Sequence, residues 1–249
     1  MRKRILNQPI DIINLNAAAY LAKMALIHPK QLKIITLNPE MVVNAVKNPE
    51  FQAAINNSHL IVPDGIGIIL ASKIVDYKTF QNIERVPGIE LAEKILEAAN
   101  ELGKKVALFG GKKEILEKVL AGFSSKYSSI KIIKAVDGYQ GVEKHAEIAS
   151  DIASENPDLV LVALGTPKQE IWINKYSSLF PRSIMMGIGG SFDVWSGRKS
   201  RAPKWIRNIY LEWFYRLIID PKRIPRILKT LPQFAWMVFR ASLQTKLDF

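Results

Sequence analysis

The chain has no cysteine. That excludes disulfides and thiolate metal sites and fits a reducing compartment. Its three histidines, His28, His59 and His145, are far apart and show no metal-ligand spacing. No apolar run approaches the ~18–20 residues that a membrane-spanning helix needs, so a soluble or peripheral protein is expected. The basic start Met1-Arg2-Lys3-Arg4 runs into Asn7, Gln8, Asp11, Asn14 and Asn16 without a small-residue cleavage site, and is read as mature protein rather than a targeting segment. Repeats and low-complexity tracts are missing too. There is no G-x-G-x-x-G dinucleotide signature, since Gly187-Ile188-Gly189-Gly190 has the wrong spacing, and no G-x-x-x-x-G-K-S/T loop. These absences disfavour an NAD-linked oxidoreductase and an NTPase. No two aspartates stand two apart, so the D-x-D pair by which nucleotide-sugar enzymes usually hold a divalent cation is absent, and no metal or other cofactor is expected.

What is present is an alternation of short apolar runs with helical patterns across 249 residues, 48% of them hydrophobic and 23% charged. Strands are expected at Leu32–Thr36, Leu60–Val62, Lys105–Phe109, Ile130–Ala135, Leu159–Leu164 and Ser183–Ile188. Helices are expected at Leu15–Ile27, Pro39–Lys47, Gly65–Ile74, Ile89–Glu101, Lys112–Tyr127, Val142–Glu155 and Pro167–Lys175. The pattern predicts an α/β fold, a Rossmann-like, mostly parallel sheet with helices on both faces. Right-handed crossovers gather the strand-to-helix loops at one edge, where ligands bind. Asn38-Pro39-Glu40 reads as a cap, a first-turn proline and a first-turn acid. Thr166-Pro167-Lys168-Gln169 reads as a capping box. Asp76–Pro87 is polar, lacks periodicity, and is expected to be a loop that could move over the site.

The composition changes near the carboxyl end. Residues 198–249 hold twelve Lys or Arg against Glu212, Asp220 and Asp248, and so carry most of the net charge of +12. Trp205, Tyr210, Trp213, Phe214, Tyr215, Trp236 and Phe239 are interleaved with these bases, while Pro221 and Pro225 are expected to break the run into short helical pieces and Pro232 to precede a last one, Phe234 to Phe239. Residues 1–195 are read as the core and 196–249 as an amphipathic helical appendage. Aromatic and basic residues together suit an anionic membrane surface. They also suit single-stranded nucleic acid, but the proline-broken amphipathic pattern favours the membrane.

Two apolar runs end in small-residue loops, Gly165-Thr166-Pro167 and Gly189-Gly190-Ser191, each leading into a helix. Such starts can receive phosphate. Phe109-Gly110-Gly111-Lys112 is a third glycine turn. Asp64 follows Leu60-Ile61-Val62-Pro63, where a carboxylate reaches the ligand edge and can act as a base on a hydroxyl; the alternative is a helix cap. Thr36 and Asn38 end another strand, and Asn38 also suits a cap. Lys168 and Gln169 lie in a first helical turn within reach of a ligand, although capping explains Gln169 equally well. Without a D-x-D pair, developing diphosphate charge needs other cations. Arg216, Arg223 and Arg226 offer guanidinium groups that fork onto phosphate; the alternative is a solvated basic face.

Several motifs stand in order: Thr36-Leu37-Asn38-Pro39-Glu40, Val62-Pro63-Asp64-Gly65-Ile66-Gly67, Glu84-Arg85-Val86-Pro87-Gly88, Asp137-Gly138-Tyr139, Val162 to Glu170, Gly187 to Asp193, Arg201-Ala202-Pro203 and Glu212 to Leu217. Together they resemble the WecG/TagA/CpsF glycosyltransferases over nearly the whole chain. The resemblance implies an inverting, metal-independent transfer of a sugar, N-acetylmannosamine or a related hexose, from a UDP-sugar donor to a polyprenyl-diphosphate-linked saccharide acceptor. The setting it implies is teichoic acid or cell-surface polysaccharide synthesis at the cytoplasmic face of the membrane. It places the carboxylate base on Asp64 and donor-site polar residues on Thr36, Asn38 and Gln169. Its arginines fall on Arg85, Arg216, Arg223 and Arg226, and Tyr139 and Asp193 match nucleotide-side positions. Asn7 stands where relatives often have glycine, and asparagine tolerates the left-handed conformation such a turn requires. Gln140 stands where an aromatic often follows the Gly-Tyr pair. The expected partners are the donor, the lipid-linked acceptor and an anionic membrane surface, without nucleic acid; a homo-oligomer is left open. The rival reading is a non-catalytic nucleotide- or nucleic-acid-binding α/β protein with a basic arm.

Overall fold

The computed structural model describes residues 1–247; the side chains of Arg223 and of residues 245–247 lie outside that description. The chain opens with a hairpin of β1 (Arg2–Ile5) and β2 (Gln8–Asp11), continues through α1 (Leu15–Ile27), β3 (Leu32–Leu37), α2 (Pro39–Lys47) and α3 (Pro49–Asn56), and reaches β4 (Leu60–Pro63). There follow α4 (Ile66–Val75), α5 (Tyr77–Phe80), α6 (Gly88–Glu101), β5 (Lys105–Gly110), α7 (Lys113–Lys126), β6 (Lys131–Val136) and α8 (His145–Ser154). The chain then runs through β7 (Leu159–Ala163), α9 (Lys168–Tyr176), β8 (Ile184–Gly187), α10 (Ser191–Trp195), α11 (Lys204–Asn208), α12 (Glu212–Ile219) and α13 (Ile224–Leu247). Six strands form one sheet in the order β4-β3-β8-β7-β5-β6, every neighbouring pair parallel.

The inner strands read as unbroken apolar runs because both faces are covered. Ile34, Leu159, Leu161, Ile184 and Met186 point into one cluster with α1, α6 and α7. Their neighbours Ile35, Val160, Val162 and Met185 point to the opposite face, under α2, α3, α4, α8, α9 and α13. This alternation decides where the site lies. After β3 the chain turns to one face, where Met41 and Val42 of α2 are buried. After the adjacent β8 it turns to the other, where Phe192 of α10 is buried. Neighbouring strands whose helices leave toward opposite faces open a crevice at their carboxyl ends.

The exposed edge of the sheet is covered. The Asp11 carboxylate accepts the Ile61 N–H of β4 at 2.9 Å and pairs with Arg2 at 2.8 Å. Asn7, in the hairpin turn, has φ +64°, the left-handed conformation expected of it. Asn14, Asn38 and Asn48 cap α1, α2 and α3.

Three expectations are corrected. Asp76–Pro87 is not only loop: α5 lies within it, and Phe80, Ile83 and Val86 are buried in the core, which ties the segment down. Pro225 and Pro232 do not break the last segment. Pro225 is the second residue of α13, where its missing N–H costs no helical bond, and Pro232 lies inside the same 24-residue helix. Phe234 and Val238 of α13 are buried in the cluster beneath α2 and α4, apolar burial that favours helix continuity despite the proline. Finally, the capping box at Thr166 does not form. α9 starts at Lys168 after a cis Thr166–Pro167 peptide, and the Thr166 hydroxyl lies 3.2 Å from Glu170 Oε1 instead. Among the described residues, no helix is long and apolar enough to cross a membrane.

Candidate active site

A cleft of about 480 Å³ opens at the carboxyl end of the sheet. Thr36 and Asn38 enter it from the end of β3, Asp64 from the end of β4, and Gly187 and Ile188 from the end of β8. Arg85 enters from the segment before α6, and α12 and α13 close the far wall with Glu212, Arg216 and Arg226. Asp64, from the first third of the chain, and Arg216 and Arg226, from its last fifth, therefore share one cavity.

Asp64 does not cap α4. That role falls to Gly65 at φ +95°, with no side-chain bond, and the carboxylate is left to the cleft. Its side chain is 28% exposed. Protein nonetheless crowds the carboxylate, and burial pushes its pKa above the usual range against the pull of Arg85, Arg216 and the Gly88 N–H; Glu212 adds to the upward push. Arg85 Nη2 stands 3.7 Å from Asp64 Oδ1 and 3.1 Å from Glu212 Oε2.

Asn38 faces the cleft, but its side-chain oxygen is already engaged, accepting the Met41 N–H at 3.0 Å. Thr36 lies against α6 so closely that a Cβ on Gly88 would meet its methyl group at 3.0 Å. Arg216 Nη2 reaches Glu212 Oε1 at 2.6 Å. Arg226 Nε pairs with Glu40 Oε1 of α2 at 2.7 Å, which ties the first turn of α13 to the helix after β3. The side chain of Arg223 lies outside the described residues.

The remaining expected residues sit elsewhere. Gln169 is 4% exposed and acts as a brace: its Oε1 accepts the Gly189 N–H at 3.0 Å and its Nε2 donates to Glu170 Oε1 at 2.7 Å. It fits there because residue 187 is glycine; a Cβ would approach Gln169 Nε2 to 2.6 Å. The cleft is thus met by the glycine turn that Gln169 holds. Asp193 lies in α10, ion-paired with Arg198 at 3.4 Å and Lys199 at 3.3 Å. Tyr139 is 73% exposed, its N–H given to Asp137 Oδ1 and its ring 6.0 Å from Lys112 Nζ. Of the two glycine-led helix starts, Gly190 and Ser191 line the cleft and Gly165 does not.

Two acids were not singled out from sequence. Glu212, 3% exposed, gathers guanidinium groups. Burial opposes its charge, but Arg216 and Arg85 outweigh that and hold its carboxyl below the usual range. Its spacing to Arg216 was visible as an i,i+4 pair; its contact with Arg85, 127 positions away, was not. Glu170 is buried beneath the glycine turn, and desolvation pushes its pKa up to about 7 against the Gln169 amide, its own N–H and the Thr166 hydroxyl.

The sequence model described as "Glycosyl transferase WecG/TagA/CpsF family" matches residues 3–248. A Bacillus subtilis (strain 168) protein named N-acetylglucosaminyldiphosphoundecaprenol N-acetyl-beta-D-mannosaminyltransferase is 39% identical over 213 residues, covering 86% of this chain and 81% of the relative. A Bacillus spizizenii protein of the same name is 35% identical over 243 residues, covering 96% and 92%. One from Staphylococcus aureus (strain NCTC 8325 / PS 47), again of that name, is 36% identical over 216 residues, covering 86% and 82%.

Proposed function

This chain belongs to the WecG/TagA/CpsF family of glycosyltransferases, and on that premise we propose that it moves N-acetylmannosamine or a related hexose from a UDP-sugar to a polyprenyl-diphosphate-linked saccharide. The observation that carries the reading is the shared cleft: Asp64 on one wall, Arg216 and Arg226 on the other. The acceptor in the names of the relatives, an N-acetylglucosaminyldiphosphoundecaprenol, supports a lipid-linked saccharide as the acceptor here. The proposed biological setting is teichoic acid or related cell-surface polysaccharide synthesis.

The transfer is a single in-line displacement. Asp64 takes the proton of the acceptor hydroxyl as that oxygen bonds to the anomeric carbon. The bond from that carbon to the donor phosphate oxygen breaks, UDP leaves from the opposite face, and the anomeric configuration inverts. An upward-shifted carboxylate suits this work, because a stronger base has more driving force for proton transfer. The charge that grows on the diphosphate is met by Arg216 and Arg226, with Arg223 from the same segment, in place of a metal ion. Thr36 and Asn38 orient the sugar from the end of β3. Gln169 holds the Gly189 turn against the donor, and Tyr139 and Asp193 serve the nucleotide side.

The enzyme works as a peripheral protein on the cytoplasmic face of the membrane. Trp205, Trp213, Trp236 and Phe239 are exposed on α11, α12 and α13, with Lys204, Lys222 and Lys229 among them. Aromatic rings favour the headgroup zone, and each base there gains about 1 kcal/mol from anionic lipid. The cleft opens toward the same helices, with Leu70, Trp213 and Leu231 on its rim, apolar surface that suits a lipid carrier.

The test is a panel of UDP-sugars offered with a short-chain polyprenyl-diphosphate-N-acetylglucosamine in the presence of a chelator. A β-linked disaccharide product from one α-linked donor is expected. No transfer from any UDP-sugar, or a product that retains the donor's configuration, overturns the reading. Sedimentation with anionic but not neutral vesicles is expected for the membrane role, and equal sedimentation with both contradicts it.

A further inference from the structure

Glu212 borders the cleft, yet the transfer step described above gives it no task. It is the first residue of α12, where the helix amino terminus favours a negative charge, and it is almost wholly enclosed. Three guanidinium groups from separate parts of the chain converge on it. Arg216 Nη2 lies 2.6 Å from Oε1, Arg85 Nη2 lies 3.1 Å from Oε2, and Arg201 Nε lies 4.0 Å from Oε1. Arg201 is itself held from the other side by Glu90 at 2.7 Å. Both Glu212 oxygens are therefore occupied.

The Arg85 nitrogen that Glu212 holds is the same Nη2 that stands 3.7 Å from Asp64 Oδ1. It lies between two carboxylates and nearer to Glu212. A guanidinium given over to Asp64 alone would stabilise the ionised form of that base and weaken it. Asp64 meets Arg85 and the Gly88 N–H from the start of α6, and Arg216 and Glu212 from α12. The same cleft holds the Glu40–Arg226 pair and the uncharged Thr36 and Asn38. Of these carboxylates, Glu212 is the one that competes with Asp64 for Arg85 and Arg216.

We propose that Glu212 is a positioning residue for the transfer: it holds Arg85 and Arg216 in the cleft wall and keeps them from closing onto Asp64, so that Asp64 stays free to take the acceptor's proton. Glu212 touches no substrate in this account. It acts through the two arginines, and it couples the attachment of α12 to the strength of the base. The inference rests on Asp64 being that base.

The experiment is the pH dependence of kcat/KM for the full chain, with a UDP-sugar and a soluble short-chain lipid acceptor, in wild type, E212Q, E212D and D64N. Without the Glu212 charge, Asp64 keeps both arginines to itself and loses a proton more readily. The acid limb of the E212Q profile then moves down by roughly 0.5–1 pH unit, and its plateau falls by at most the same factor, roughly 3- to 10-fold, because the base is weaker. E212D, which keeps the charge but draws it back by one methylene, falls between E212Q and wild type. An acid limb that stays in place while the plateau drops would make Glu212 merely structural and overturn the proposal. If E212Q shows no cooperative melt, the E212D limb decides alone: a downward shift supports the proposal and an unmoved limb refutes it. D64N separates the two layers. Full turnover in D64N sinks the base assignment itself, whereas loss of turnover in D64N with unmoved limbs in both Glu212 variants sinks only the role given to Glu212.

Discussion

Glu170→Gln should remove one pH-dependent loss of stability. Glu170 is buried under the turn that meets the cleft, and its Oε2 has no hydrogen-bond partner among the described residues. Burial, against the opposing bonds from Gln169 and Thr166, raises its pKa from 4.5 to about 7. In the unfolded chain the group ionises near its ordinary value. Between these two values the folded protein holds a proton that the unfolded chain releases, so stability falls as pH rises through that window. At ~1.4 kcal/mol per pKa unit, the whole window corresponds to about 3 kcal/mol, all of it lost above pH 7. Glutamine cannot titrate and keeps an acceptor for the Gln169 amide and the Thr166 hydroxyl. The assay is urea unfolding of both proteins from pH 5 to pH 8, where other titrating groups cancel in the difference. The stability of Glu170→Gln relative to wild type should rise by roughly 2–3 kcal/mol across that range. A difference that does not change with pH would refute the reasoning.

Phe234→Ala should cost about 3–5 kcal/mol in denaturant unfolding, because Phe234 is buried in the cluster under α2 and α4; a loss below about 1 kcal/mol would mean that α13 is not packed as described. Arg226→Ala should leave stability within about 1 kcal/mol, since its pair with Glu40 is half exposed, yet slow sugar transfer by roughly 10²-fold or more. Equal turnover in steady-state assays would remove Arg226 from the site.

The sheet was legible because its strands are apolar on both faces, and runs such as Leu159–Leu164 have no other comfortable place. The amino-terminal hairpin was not. Arg2–Ile5 and Gln8–Asp11 are short, and although Ile5 and Ile10 are buried in the core, two apolar residues set among Arg, Lys, Gln and Asp leave no strand pattern to read; the Arg2–Asp11 pair adds to the hold. The continuous α13 was misread because local proline rules compete with the burial of Phe234 and Val238, which only the folded chain reveals. Asp64, Thr36 and Asn38 could be placed from the strand ends that carry them. Gln169 looked like a first-turn residue facing a ligand; its turn to Gly189 depends on the missing side chain at Gly187, on a different strand. Glu212 and Glu170 stand in the motifs quoted above but were given no role there, for one reason. What distinguishes them is enclosure by residues remote in sequence, and the alternation of apolar and polar residues carries no record of that.

The central claim is that Asp64 is the base of a sugar transfer completed by cations from the end of the chain. Single-turnover transfer from a UDP-sugar to the lipid acceptor by Asp64→Asn, with donor affinity measured in parallel, tests it most directly. A rate loss of roughly 10²–10⁴ with donor binding retained is the predicted result, and turnover within a few-fold of wild type would contradict it.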